Sequence, residues 1–205
     1  MKKTFLIVVS VAIIGTLQAQ DSSVNHPFVL GLEYGVTTSI NYSALSAFED
    51  NTDSYSMPTV SFFLGLKNSS TGRYYGISME GMSAHTSHPF EDNYYNYMAL
   101  LSSRRSLPLF NNVNVWYGCG IGAAWMRNQY AIGGDELKIN RYGLAVKFEG
   151  GLIYNVTDYS YIGLTGGFVS VPLITDNYDV PAGYTKNNNI LIFGKQIMLN
   201  YGVKF

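Results

Sequence analysis

The 205-residue chain has a single cysteine, Cys119, and only 13% charged residues, about half the share of a typical domain. One cysteine excludes a disulfide scaffold. Few charges together with 15% aromatic residues exclude an intrinsically disordered chain. The formal net charge is −1, so the chain lacks the basic excess of nucleic-acid-binding proteins and no nucleic-acid partner is expected.

Phosphate-binding loops, dinucleotide fingerprints and zinc-ligand spacings are also missing from the sequence. We therefore expect no cofactor and no bound metal.

Long hydrophobic runs are scarce, and the clearest one stands at the start of the chain. Thirteen uncharged, mostly apolar residues run from Phe5 to Leu17, after Met1-Lys2-Lys3 and before Gln18-Ala19. This run is shorter than the ~20 residues that a membrane-spanning helix needs, and its layout is that of a secretory signal peptide. We predict a signal peptide over residues 1–19 and one domain over 20–205. The second region has no apolar run of spanning length, which excludes a helical membrane protein.

The remaining sequence alternates with a period of two, which is typical of strands. Between Phe28 and Val36, every second residue is apolar or aromatic, and the residues between them are mostly small. The same pattern returns in seven further segments, the last of which ends at Phe205. An even number of strands about ten residues long predicts an all-β fold, an eight-stranded antiparallel up-and-down transmembrane β-barrel.

The predicted connections alternate in length. Short ones cover residues 68–72, 107–112 and 155–158, and longer ones cover 37–57, 85–93, 127–140 and 172–189. Short turns on one side and long loops on the other are typical of outer-membrane barrels, whose termini lie on the periplasmic side.

The composition of the two strand faces indicates which one is inside. The less hydrophobic face is rich in Gly, Ala and Ser, which suits a narrow lumen better than a water-exposed surface. A soluble carrier barrel, with the hydrophobic face inside, is the alternative. Five charged residues fall on the small-residue face, and we predict that they form a paired lumen charge network: Glu33, Glu80, Arg104, Lys147 and Glu149. A narrow ion-conducting path along the same residues is the second interpretation.

With these features the chain resembles the small outer-membrane β-barrel proteins of Gram-negative bacteria, including OmpA-type transmembrane barrels and the barrel-domain proteins of Bacteroidetes. The resemblance rests on the signal peptide, the Gly-rich aromatic strands and the final strand from Ile197 to Phe205. It implies a location in the cell outer membrane, contact with outer-membrane lipid and lipopolysaccharide, and recognition by the barrel assembly machinery. The assembly signal would consist of Leu199, Tyr201, Val203 and Phe205.

A structural or surface-interaction role, carried by the long extracellular loops of a monomer, is the function we expect; no extracellular ligand is indicated. The alternative activity lies at His85 and Ser87. Their spacing resembles that of lipid A deacylase barrels, in which a histidine activates a serine. Because such short motifs are weak, we expect no enzyme. Cys119 is expected to be a small lipid-facing residue.

Overall fold

The computed structural model describes residues 27–42, 54–86, 91–132, 135–175 and 189–205. Within these ranges, no helix has both the length and the apolarity needed to cross a membrane. The regular elements are eight strands, which we number β1 (Phe28–Tyr42), β2 (Ser54–Asn68), β3 (Arg73–Thr86), β4 (Glu91–Phe110), β5 (Val113–Ile132), β6 (Asp135–Asn155), β7 (Ser160–Thr175) and β8 (Asn189–Lys204).

Each strand pairs antiparallel with its sequence neighbours, and β1 pairs with β8, which closes the barrel. The closing seam runs from Val29 opposite Lys204 to Tyr42 opposite Leu191. Beyond it, Phe28 and Phe205 exchange two backbone hydrogen bonds of 2.9 and 3.1 Å. A closed sheet leaves no unpaired edge, which is the condition for strands to exist in hydrocarbon. The predicted fold class is confirmed.

Three short turns lie at one end of the barrel, together with Phe28 and Phe205, and we call this the turn end. In the first turn, Asn68 Oδ1 accepts hydrogen bonds from the backbone N–H groups of Ser70 and Thr71 at 3.0 and 3.2 Å. In the third, Thr157 Oγ1 accepts from the Ser160 N–H at 3.0 Å. Asn and Thr side chains stabilise tight turns in this way, so the local sequence determines where the chain reverses.

The opposite end, which we call the loop end, differs from the sequence prediction. Strands β5 and β6 stay paired as far as Ile132 opposite Asp135, so the long connection predicted over 127–140 is wrong. The connection predicted over 85–93 is also too long, because β3 and β4 reach Thr86 and Glu91. Apolar alternation marks only the part of a strand that has lipid on one side. Above the membrane the backbone ladder continues while that pattern stops.

Large apolar side chains cover the outer wall of the barrel. Leu101, Ile197 and Leu199 are 70%, 67% and 66% exposed, whereas Glu33 and Lys147 are 1% and 2% exposed. Water would favour the reverse arrangement, with charges outside and apolar side chains inside. The hydrophobic face is therefore the outer one, and the soluble carrier alternative does not describe this barrel.

Candidate functional site

The structure brings the five charged residues of the predicted lumen network together. Glu33 lies on β1, Glu80 on β3, Arg104 on β4, and Lys147 and Glu149 on β6. Each is at least nine-tenths buried. Their positions have the same cause, because each stands on the inward phase of its strand's alternation.

Arg104 joins two of the carboxylates. Its Nη1 lies 2.8 Å from Glu33 Oε1, and its Nε lies 2.8 Å from Glu149 Oε1. The guanidinium also lies over two aromatic rings, 4.2 Å from the Phe63 centroid and 4.9 Å from that of Trp116. Charge pairing and cation–π contacts thus hold this side chain from both sides.

Lys147 is the second cation of the network. Its Nζ lies 2.7 Å from Glu80 Oε2, 2.9 Å from Glu149 Oε2 and 3.9 Å from Glu33 Oε2. Three carboxylates and two cations leave the cluster with a formal charge of −1. Neighbouring polar side chains stabilise this excess negative charge, since a buried carboxylate needs hydrogen-bond donors for its remaining lone pairs.

Amides and hydroxyls from β8, β1 and β2 supply this support. Gln196 Nε2 donates to Glu80 Oε1 and, at 3.1 Å, to Thr37 Oγ1. Thr37 and Thr59 share a hydroxyl hydrogen bond of 2.7 Å. Asn200 Nδ2 approaches Glu33 Oε1 at 3.4 Å. The charged cluster is thereby linked to most of the barrel wall.

An apolar cluster fills the lumen between the charged network and the loop end, and the sequence analysis missed it. It consists of four methionines, five branched aliphatic residues and two alanines: Met57, Met82, Met98, Met126, Leu100, Val169, Val171, Leu173, Ile192, Ala124 and Ala145. All are at most 5% exposed. The sequence feature that could have revealed this cluster is the presence of bulky apolar residues on the strand face that is otherwise rich in small residues. The lumen therefore holds a layer of buried apolar side chains beside the charged network.

Of the two weak catalytic candidates, His85 and Ser87, the structure describes only His85. Ser87 lies outside the described residues, and His85 Nδ1 lies 2.9 Å from Asn93 Oδ1 on β4. Among the described residues there is no group of three or more metal-ligating side chains. Cys119 is exposed on the outer wall, on the face where the sequence predicted it.

The residues of the expected assembly signal lie at the closing seam. Leu199 is exposed, Tyr201 is partly exposed and Phe205 is 44% exposed, but Val203 is only 2% exposed. Alternation alone would expose Val203. The Phe28 and Phe205 rings stack 6.1 Å apart, two residues beyond the register pair of Leu30 and Val203. Recognition of this segment by assembly machinery stays a prediction.

No sequence-family model and no curated protein matches this chain. Solved structures do resemble it. Neisserial surface protein A superposes with a TM-score of 0.57 at 12% identity, covering 87% of this chain and 97% of that one. The attachment invasion locus protein Ail of Yersinia pestis gives 0.49 at 11% identity over 86% and 98%. OprG of Pseudomonas aeruginosa, an outer membrane protein, gives 0.46 at 11% over 90% and 99%. The superposition on Neisserial surface protein A, together with the closed eight-stranded sheet, shows that the chain has the fold of the small outer-membrane β-barrels.

Proposed function

We propose that this chain is an outer-membrane barrel with a closed lumen, which acts as an interaction protein through its loop end at the cell surface. The observation that carries this proposal is the inverted distribution of side chains. Aliphatic residues such as Leu101 cover the outside, while ionised residues such as Lys147 are buried inside. Only a hydrocarbon solvent stabilises such an outer wall.

The height of the apolar wall fits a bilayer. Tyr142 and Tyr154 are both about half-exposed on the outer face of β6, and aromatic residues of this kind favour the membrane–water boundary. Twelve residues at about 3.3 Å each, tilted by roughly 40°, span ~30 Å. Outer-membrane barrels carry an apolar band of about 25 Å between two aromatic girdles, so the spacing of these tyrosines suits that band.

The loop end offers a contact surface. The last β6–β7 pair joins Arg141 and Thr175, while β6 stays paired with β5 back to Asp135. In the described ladders, β5 and β6 thus extend past β7 as a hairpin, and β4 flanks this hairpin, paired with β5 as far as Glu91 opposite Ala131. Exposed Lys138 lies on this projection, and near its base Arg127 Nε donates to Asn140 Oδ1 at 3.0 Å. A paired hairpin on a rigid barrel is a suitable scaffold for binding.

Cysteine labelling tests the location and the orientation. The native thiol is first removed by Cys119→Ala, and single cysteines are then introduced by Lys138→Cys at the loop end or Ser70→Cys in a short turn. A membrane-impermeant maleimide should label the first variant on intact cells, and the second only after permeabilisation. Labelling of Ser70→Cys on intact cells, or recovery of the chain in the soluble periplasm, would contradict the proposal.

Shortening the projection tests the interaction role. Removing residues 129–132 and 135–138 keeps residues 133–134 as the connection between Asn128 and Ile139, which are already register partners. Barrels in lipid nanodiscs would be applied to arrays of immobilised glycans and extracellular-matrix proteins. The full chain should bind at least one array component, and the shortened barrel should lose about tenfold in affinity. Equal binding by both, or binding by neither, would count against an interaction role of this hairpin.

A further inference from the structure

We propose that the turn end of the lumen is a binding site for a small aromatic carboxylate. A cavity of about 230 Å³ opens there, below the charged network. Four aromatic residues line it, namely Phe63, Tyr74, Trp116 and Tyr161. A protein cavity of about 150 Å³ is large enough to bind benzene, so this one has room for an aromatic ring with a carboxylate attached.

The charge of the lining favours an anion. Lys67, Arg104, Arg105 and Lys204 line the cavity, and no carboxylate does so among the described residues. Lys204 is held in place by donating from Nζ to Asn155 Oδ1 at 2.8 Å. The charged network next to the cavity already includes Arg104 and has a formal charge of −1. The other three cations, Lys67, Arg105 and Lys204, outweigh this negative charge. An anion entering from this end therefore meets a net positive lining.

Several buried polar atoms on the cavity wall have no hydrogen-bond partner. They include the donors Arg104 Nη2 and Trp116 Nε1, together with the Ser106 hydroxyl and the acceptor Asn200 Oδ1. Arg104 and Trp116 are only 6% and 4% exposed. Arg104 Nη1 and Nε are engaged by Glu33 and Glu149, so the guanidinium is fixed and its Nη2 side remains available. Because guanidinium and indole nitrogens only donate, the matching ligand group is an acceptor, and a carboxylate supplies both acceptor atoms and charge.

The rest of the lining favours an aromatic body for this ligand. Val29 and Ile153 complete the wall alongside the rings, and both are buried. A small inorganic anion would use the donors but leave this apolar surface without contacts. An aromatic carboxylate satisfies both parts of the cavity, since small-molecule sites combine an apolar lining with a few convergent polar groups.

Tryptophan fluorescence provides the test, because the chain has only two tryptophans. Trp125→Phe removes the one on the outer wall, where it stacks on Tyr97, and leaves Trp116 as the reporter. Benzoate added to the folded barrel in detergent micelles should give a saturable change. Benzamide, which lacks the charge, and inorganic phosphate, which lacks the ring, should each bind at least about tenfold more weakly.

Matched variants locate the site. Lys67→Gln combined with Lys204→Gln should weaken benzoate binding by about tenfold or more, whereas Arg127→Gln, a charge removal at the loop end, should leave it unchanged. Trp116→Phe, followed by calorimetry, should also weaken binding while keeping an aromatic ring. Heat-dependent gel mobility verifies that each variant is a folded barrel. The proposal is overturned if benzoate shows no saturation by about 10 mM, if benzamide binds equally well, or if the lysine and tryptophan variants bind like the unmodified barrel.

Discussion

Lys147 on β6 and Glu80 on β3 form a 2.7 Å ion pair across the lumen, although 67 positions separate them in the chain. Their strands are not neighbours in the barrel, so the pair connects opposite parts of the wall. Glu149 lies 2.9 Å from the same ammonium group. Loss of this one cation would remove the ion pair of Glu80 and leave Glu149 paired with Arg104 alone.

Replacing that cation should destabilise the barrel strongly. Lys147→Met leaves the buried Glu80 carboxylate without its ion-pair partner, and removing one partner of a buried ion pair lowers the free energy of unfolding by about 3–5 kcal/mol. Urea unfolding in lipid vesicles, followed by tryptophan fluorescence, measures the loss. Lys138→Met changes an exposed lysine of the same strand and should stay within about 0.5 kcal/mol of the unmodified barrel. Equal effects of the two substitutions would show that the network contributes nothing specific.

The Tyr161 ring lies directly over Gly202, its register partner on β8. A Cβ at that glycine would overlap the ring, so Gly202→Ala should lower the free energy of unfolding by about 1–3 kcal/mol. Gly166→Ala is the matched control, because the nearest atoms to its added Cβ are 3.9 and 4.0 Å away. If overlap is the cause, adding Tyr161→Ala to Gly202→Ala should remove the extra cost of the alanine methyl. A Gly202→Ala barrel as stable as the Gly166→Ala control would contradict the overlap.

Lys195 is exposed on the outer face of β8, between Phe193 and Ile197. A lysine facing lipid costs about 2–4 kcal/mol at the bilayer midplane, and less toward either surface. Lys195→Leu should therefore raise the free energy of unfolding in lipid vesicles by about 2 kcal/mol. Lys138→Leu, on the loop-end projection, should not raise it. A destabilised Lys195→Leu barrel would mean that this ammonium group has a favourable partner or reaches water.

The lumen should not conduct ions. Its charged layer is internally paired, and the methionine-rich cluster above it is apolar and closely packed. Planar bilayers containing the purified barrel should remain at baseline current in salt solution under an applied voltage. A steady conductance that disappears on Glu80→Gln would instead support the narrow ion path, which is the second interpretation of these charges.

The loop between β3 and β4 should have no lipid A hydrolase activity. His85 is engaged with Asn93 through Nδ1. Lipid A extracted from cells should show the same acylation by mass spectrometry with the intact gene, without it, and with His85→Ala or Ser87→Ala. An acyl chain that is lost only when the intact chain is expressed, and retained with either alanine variant, would establish the enzyme.

The sequence by itself determined the strand number, the barrel class and the face on which each of the five network charges lies. These properties follow from the period-two alternation of strands, because neighbours along a strand point to opposite sides. Glu33 and Lys147 are inside for that reason. The turns at Asn68 and Thr157 are equally local, since each side chain accepts hydrogen bonds from backbone groups two or three residues ahead.

Only the tertiary structure decided which of these residues meet. Barrel closure and strand register bring Glu80 to Lys147 and Tyr161 over Gly202, and neither property is encoded by a local pattern. The methionine cluster was missed because an apolar residue suits lipid and a packed lumen equally well. Strand ends at the loop end were missed because the apolar alternation stops there while the backbone pairing continues. The local sequence thus determines whether a side chain faces outward or into the lumen, and the closed sheet determines which side chains it contacts.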